Sequence, residues 1–211
     1  MFVFWGDGSE EAKRLVESIL VRDTGNFNWT FIFILAVVFY IYWSNINEKK
    51  TQYIVAGLAL YGVHWLYEIA NALIAHFTGY PLWAVSNEST TFILLIGVCW
   101  ELSMMFSIAG MISYKMLPKK PTTKDRLIGA LSMALLFALV ESFLAGTSNH
   151  SFIWVYKWWG VLPVFITTYI PFFLASNFVP AMKWKDQKTF LITVWLIVAL
   201  SLILLVPKGI I

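Results

Sequence analysis

Six stretches of the chain, roughly 28–45, 52–78, 90–114, 127–146, 158–182 and 189–206, run with few or no charged residues. Nothing else in the sequence constrains the fold as strongly, because about 17–25 mainly apolar residues of helix cross the hydrocarbon layer. Within that layer only helices and closed barrels satisfy their own backbone. With 59% hydrophobic and 13% charged residues, 11 Trp and 17 Phe, 211 residues carry more apolar surface than one water-soluble core would cover. The expectation is an all-α, polytopic integral membrane bundle of about six transmembrane helices. Short connections make residues 28–211 a single bundle domain, preceded by an N-terminal surface segment over 1–27.

The N-terminal segment does not read as a removable signal, since Met-Phe-Val-Phe-Trp is followed at once by Asp7. Residues 9–21, SEEAKRLVESILV, combine a Ser cap, early acids and an apolar face of Leu15, Val16, Ile19 and Leu20. They are expected to form a short amphipathic surface helix. The single cysteine, Cys99, falls inside the third stretch, which excludes disulfides and cysteine-based metal clusters. In a chain of this composition the net charge of +3 belongs to the membrane and is no sign of nucleic-acid binding.

Orientation follows from the basic residues. Ten of the 15 Lys and Arg fall in the loops after the first, third and fifth stretches, and the 79–89 loop has none. The positive-inside rule then puts both termini outside or in a lumen, in a plasma membrane or endoplasmic reticulum. Three Asn-x-Ser/Thr triplets, at Asn28, Asn87 and Asn149, fall on that same outer side.

The second stretch is unusual for a lipid environment, because HWLYEIANALIAH, residues 64–76, carries two histidines, a glutamate and an asparagine. At 100° per residue His64, Glu68 and Asn71 share one face with Tyr61, whereas His76 points elsewhere. At about 1.5 Å per residue, Glu68 lies roughly 25 Å from the inner end of its span. By the same measure Glu101 is about 18 Å and Glu141 about 9 Å from the outer ends of theirs. The inner halves of these spans carry no ionisable residue, as expected for a pocket closed from the inside.

A charge at the bilayer centre costs about 2.5–3.5 kcal/mol on insertion scales, so these groups are expected to face the bundle interior and pair. Glu68 and His64 would titrate as a coupled pair and could give and take protons. The competing reading is interhelical hydrogen bonding, about 0.6 kcal/mol per bond on average. It competes best at Glu141, close to the outer boundary. His64, Glu68, Glu101 and Glu141 are therefore the candidate catalytic groups. Tyr61, Trp65, Asn71, Trp100 and Trp158 are candidates for contacting substrate, with Trp154, Trp158 and Trp159 reading first as an aromatic belt. His76 and His150 are peripheral, and Pro163, Pro171 and Pro180 are expected to kink the fifth span. No Glu-x-x-His or His-Glu-x-x-His occurs, so neither a metal nor another cofactor is expected.

His64-x-x-x-Glu68 in one membrane helix, followed by Glu101 in CWELSMM, resembles the emopamil-binding protein family of sterol isomerases, which share the EXPERA bundle. The resemblance covers roughly residues 60–178. It implies a hydrophobic cavity where an alkene is protonated to a carbocation that then loses a different proton, with aromatic rings stabilising the cation. His64 and Glu68 would be the first pair and Glu101 the second acid. The Asn and Trp that the family carries on a later helix have no clear counterpart here, and six expected spans exceed the family's five.

Physical reasoning reaches a similar class. Protonating an alkene needs an acid held neutral until substrate arrives, then carboxylate charge or π faces for the cation in a water-poor site. The expected function is proton chemistry such as isomerisation, cyclisation or hydration on an isoprenoid or sterol-like lipid that enters from the bilayer. The alternatives are a proton-coupled transporter or channel, built on inverted repeats and broken helices, and a non-catalytic lipid-binding or assembly subunit. The only echo of a repeat is GVHW at 62–65 and GVCW at 97–100, and Asn177 is the polar residue that an inward route would use.

Overall fold

The computed structural model describes residues 2–18, 29–86, 92–146 and 151–211. Asn28, Asn87 and Asn149 of the triplets, His150, and Ile19 and Leu20 of the expected surface helix lie outside these residues.

Helix α1 spans Glu10–Glu17, starting where Ser9 Oγ accepts from the Ala12 N–H at 3.1 Å and the acids Glu10 and Glu11 occupy the first turn. The bundle follows as α2 (Trp29–Asn47), α3 (Thr51–Thr78), α4 (Trp100–Lys115), α5 (Thr123–Ala145), α6 (Val161–Ala181) and α7 (Trp184–Leu205). Among the described residues α2, α3, α5, α6 and α7 are long and apolar enough to cross a membrane. Helix α4, with 16 residues, is about 24 Å long and crosses only part of the layer.

The third expected span is thus corrected. Residues 93–99 form a hairpin, β2 (Ile93–Leu95) and β3 (Val98–Cys99), with Ile93 opposite Cys99 and Leu95 opposite Val98. The run FILLIGVC is apolar throughout, so its periodicity does not separate strand from buried helix. Its bulky β-formers on either side of Gly97 favour the hairpin.

Each helix ends for a local reason. Helices α2 and α3 are joined by three residues, and Lys49 takes a left-handed conformation to make the turn. Gly79, at φ 88°, stops α3. A reciprocal capping box of Thr122 and Asp125 starts α5. Small residues set the α3–α4 distance: a Cβ at Gly110 would overlap the Ala56 carbonyl, and Tyr61 and Ser103 hydroxyls meet at 2.8 Å across the same seam.

At one end of the bundle a buried latch joins α4, α5 and α6. Asn177 Oδ1 accepts from Ser113 Oγ at 2.9 Å, its Nδ2 donates to the Arg126 carbonyl at 3.2 Å, and Arg126 Nη1 donates to the Asn177 carbonyl at 2.7 Å. The opposite end carries a cap. Strand β1 (Trp83–Val85) pairs antiparallel with β4 (Phe152–Trp154), setting Trp83 opposite Trp154. The N-terminal residues join it through Gly6 N–H to Trp159 O at 2.6 Å and Val161 N–H to Phe4 O at 3.0 Å. Helix α1 buries Ala12 and Val16 in a cluster with Ile153 and Val155. Ile211 is buried in that cluster too, so both ends of the chain meet on the capped side.

If the capped side faces outward, as the distribution of basic residues predicts, a cysteine at exposed Lys157 is labelled by an impermeant thiol reagent in intact cells and one at exposed Lys120 is not. The reverse labelling would invert the orientation.

Candidate functional site

Under the cap, the polar face of α3 is buried: His64, Glu68 and Asn71 are each less than 5% exposed. Asn71 serves the strand beside it. Its Oδ1 accepts from the Leu82 N–H and its Nδ2 donates to the Trp83 carbonyl, both at 2.8 Å. Held in this way, Trp83 donates from Nε1 to Glu68 Oε1 at 3.3 Å, while His64 Nδ1 lies 3.7 Å from the same oxygen. Across the cavity Glu141 accepts from Trp154 Nε1 at 2.7 Å and from the Tyr169 hydroxyl at 2.5 Å. The two indoles are opposite neighbours in the β1–β4 ladder, so one strand pair serves two acids on different helices.

Glu68, His64 and Glu141 line one enclosed cavity of about 20 Å³, walled by Trp83, Trp159, Phe106, Phe172, Tyr169 and Thr168. The two acids are bonded differently. Both oxygens of Glu141 accept hydrogen bonds, the pattern of a carboxylate. Among the described residues Glu68 Oε2 has no hydrogen-bond partner, and neither do the two His64 ring nitrogens, Thr168 Oγ1 or Trp159 Nε1. Such groups cost about 1–3 kcal/mol each when left unpaired in a core, so their convergence on one cavity calls for a polar occupant.

Helix α6 contributes through irregularity. Its segment Val164–Tyr169, between Pro163 and Pro171, is a π-helix. Its consecutive residues Thr168 and Tyr169 both line the cavity, as do Val164 and Phe172. The lipid face is close at hand. Helices α4 and α5 touch only sparsely, and a depression in the seam between them, lined by the half-exposed Met105 and Val140, shares Leu102, Phe106, Glu141 and Tyr169 with the cavity. A larger apolar groove of about 470 Å³ lies between α2, α3, α4 and α7, with Tyr61 in its wall.

The remaining candidates are placed elsewhere. Glu101 is half-buried in the first turn of α4 and does not line the cavity; the next residue, Leu102, does. The reason is the hairpin, since α4 starts only at Trp100 and its phase points Leu102 and Phe106 inward. Trp65 packs edge-on against Tyr61, and Trp100 lies 5.3 Å from the Phe31 ring. Trp158 is 58% exposed, while its neighbour Trp159 is buried and stacks on Trp83 at 5.6 Å. His76 is exposed at the end of α3. Sequence reasoning missed Trp83, Thr168, Tyr169 and Gly97 as cavity residues. The polar TTY between two prolines was a usable signal for α6, whereas Trp83 and Gly97 reach the site only through strand pairing.

Gly97, in the β2–β3 turn, presses on this site: a Cβ there would overlap the Glu68 carboxylate, the Trp83 indole N–H and the Asn71 amide. Gly97→Ala should therefore cost about 1–3 kcal/mol by overpacking. Thermal unfolding in detergent reads the loss, and an unchanged midpoint would mean that the hairpin does not seat against Glu68.

Comparison with known proteins agrees with this architecture at the level of the membrane. An uncharacterized protein of Archaeoglobus fulgidus is 35% identical over 177 residues, covering 80% of this chain and 83% of that relative. No solved structure matches. The model of an uncharacterized membrane protein family matches residues 10–207, from the start of α1 to beyond the end of α7, and the chain belongs to that family.

Proposed function

We propose that the protein is a membrane enzyme performing acid–base chemistry on an alkene of an isoprenoid-type lipid. The observation that carries this reading is Glu68: a buried carboxyl with one oxygen lacking a hydrogen-bond partner among the described residues, beside His64 and sharing with Glu141 a cavity lined largely by aromatic rings. In this reading Glu68 is the acid, His64 relays its proton, and Glu141, held by Trp154 and Tyr169, faces the developing cation together with the rings of Phe106 and Trp83. Substrate arrives sideways through the α4–α5 seam, where Phe106 belongs to both the depression and the cavity wall.

A cavity of about 20 Å³ does not hold a sterol ring system. The chemistry suited to it is therefore at the end of a chain, admitted when Phe106 and Leu102 shift. Transport is less well supported, because below the cavity the core is apolar, with Leu60, Met133, Ala134 and Phe173 filling it as far as the Asn177 latch. The sterol isomerase resemblance shares His64 and Glu68 with this proposal and differs in its second acid, where Glu141 replaces Glu101.

Lipid profiling of a host expressing the wild type, Glu68→Gln or Glu101→Gln tests the reading. Wild type should shift the isoprenoid pool, and Glu68→Gln should reduce that shift by about 10²–10⁴ in turnover without loss of folded protein. Glu101→Gln should retain it. Identical pools with wild type and Glu68→Gln, both folded, would overturn the proposal.

A further inference from the structure

We infer that the cavity between Glu68 and Glu141 holds a water molecule that is the second reactant, so that the enzyme hydrates a terminal alkene of its lipid substrate to a tertiary alcohol. The inference rests on the acid–base reading above and specifies its reaction. Its basis is geometric. About 10–15 Å³ of such space accommodates a water, which needs two to four polar partners. The cavity offers about 20 Å³. Glu68, His64, Thr168 and Trp159 all line it, and Glu68 Oε2, the His64 nitrogens, Thr168 Oγ1 and Trp159 Nε1 have no hydrogen-bond partner among the described residues, on residues at least 94% buried. Isomerisation uses the acid and base but has no role for a bound water, whereas hydration needs a water held beside the acid.

The steps balance without any further reagent. Glu68 gives its proton to the CH carbon of a terminal isopropylidene group, and the alkene electron pair becomes the new C–H bond. The tertiary cation left behind faces Glu141 and the ring of Phe106. The water oxygen forms the C–O bond, and the proton shed by the oxonium passes to His64 and from His64 across 3.7 Å to Glu68, restoring both. The sum is alkene plus water to alcohol. The cavity of about 20 Å³ holds the water alone, so the chain end comes beside it from the depression of about 40 Å³ between α4 and α5 as Leu102 and Phe106, which line both, shift aside.

The test is growth of a host loaded with acyclic C30 and C40 polyprenes in ¹⁸O-water and, separately, in deuterated water, expressing wild type, Glu68→Gln or Thr168→Val. The expected result is a tertiary alcohol carrying one water-derived ¹⁸O with wild type, none with Glu68→Gln, and about a tenfold lower yield with Thr168→Val, which keeps its shape but loses one hydrogen bond to the water. Deuterium in the polyprenes without ¹⁸O would overturn the hydration inference and leave the acid–base enzyme standing. Neither label, with the proteins folded, would overturn both. A structure of the wild type at a resolution that shows waters provides an independent reading, and a dry cavity there would also overturn the inference.

Discussion

The site depends on Asn71. Its carboxamide bonds the backbone of Leu82 and Trp83 where the chain leaves α3 and enters the cap, at a depth where water is scarce and an unpaired peptide group is costly. This fixes β1 against α3 and aims the Trp83 indole at Glu68. The ladder then carries the position onward: Trp154, directly across from Trp83, is aimed at Glu141 on α5. Three side-chain contacts thereby locate two acids from helices far apart in sequence around one space.

Two departures from regular helix make that space reachable and polar. The hairpin at 93–99 shortens α4, leaving room for the cap to descend onto Glu68 and for a Gly97 backbone to lie against it. The π segment of α6 carries Thr168 and Tyr169, which both line the cavity. Both departures border the cavity. Irregular backbone at membrane depth is tolerated in such places, buried in protein or lining a polar space.

The bundle is asymmetric from end to end. At the end away from the cap Asn177, Arg126, Ser113 and Ser176 satisfy one another, with Asn177 Oδ1 accepting from both serines. Beneath the cap the bonding is unfinished, with several buried donors and acceptors on residues that line the cavity lacking a hydrogen-bond partner among the described residues. Finished polar clusters stiffen a bundle, whereas each unfinished group calls for an explanation such as a bound water or a chemical role.

The membrane class, the helical bundle and the inward turn of His64 and Glu68 were legible in the sequence, because each is dictated by transfer free energy along a single helix: long apolar runs must cross, and charge within them must turn inward. The end of α3 at Gly79 and the cap of α5 at Thr122 are local signals of the same kind. The pairing of Glu68 with Glu141 rather than Glu101, the hairpin in place of a third full span, and the entry of Trp83, Trp159 and Thr168 into the site were decided only by tertiary structure. An apolar run such as FILLIGVC satisfies helix and buried strand alike, and the choice falls to the partners that its backbone and side chains find. Glu101 and Leu102 are adjacent in sequence, yet the phase of a helix that begins at Trp100 puts only Leu102 on the cavity wall.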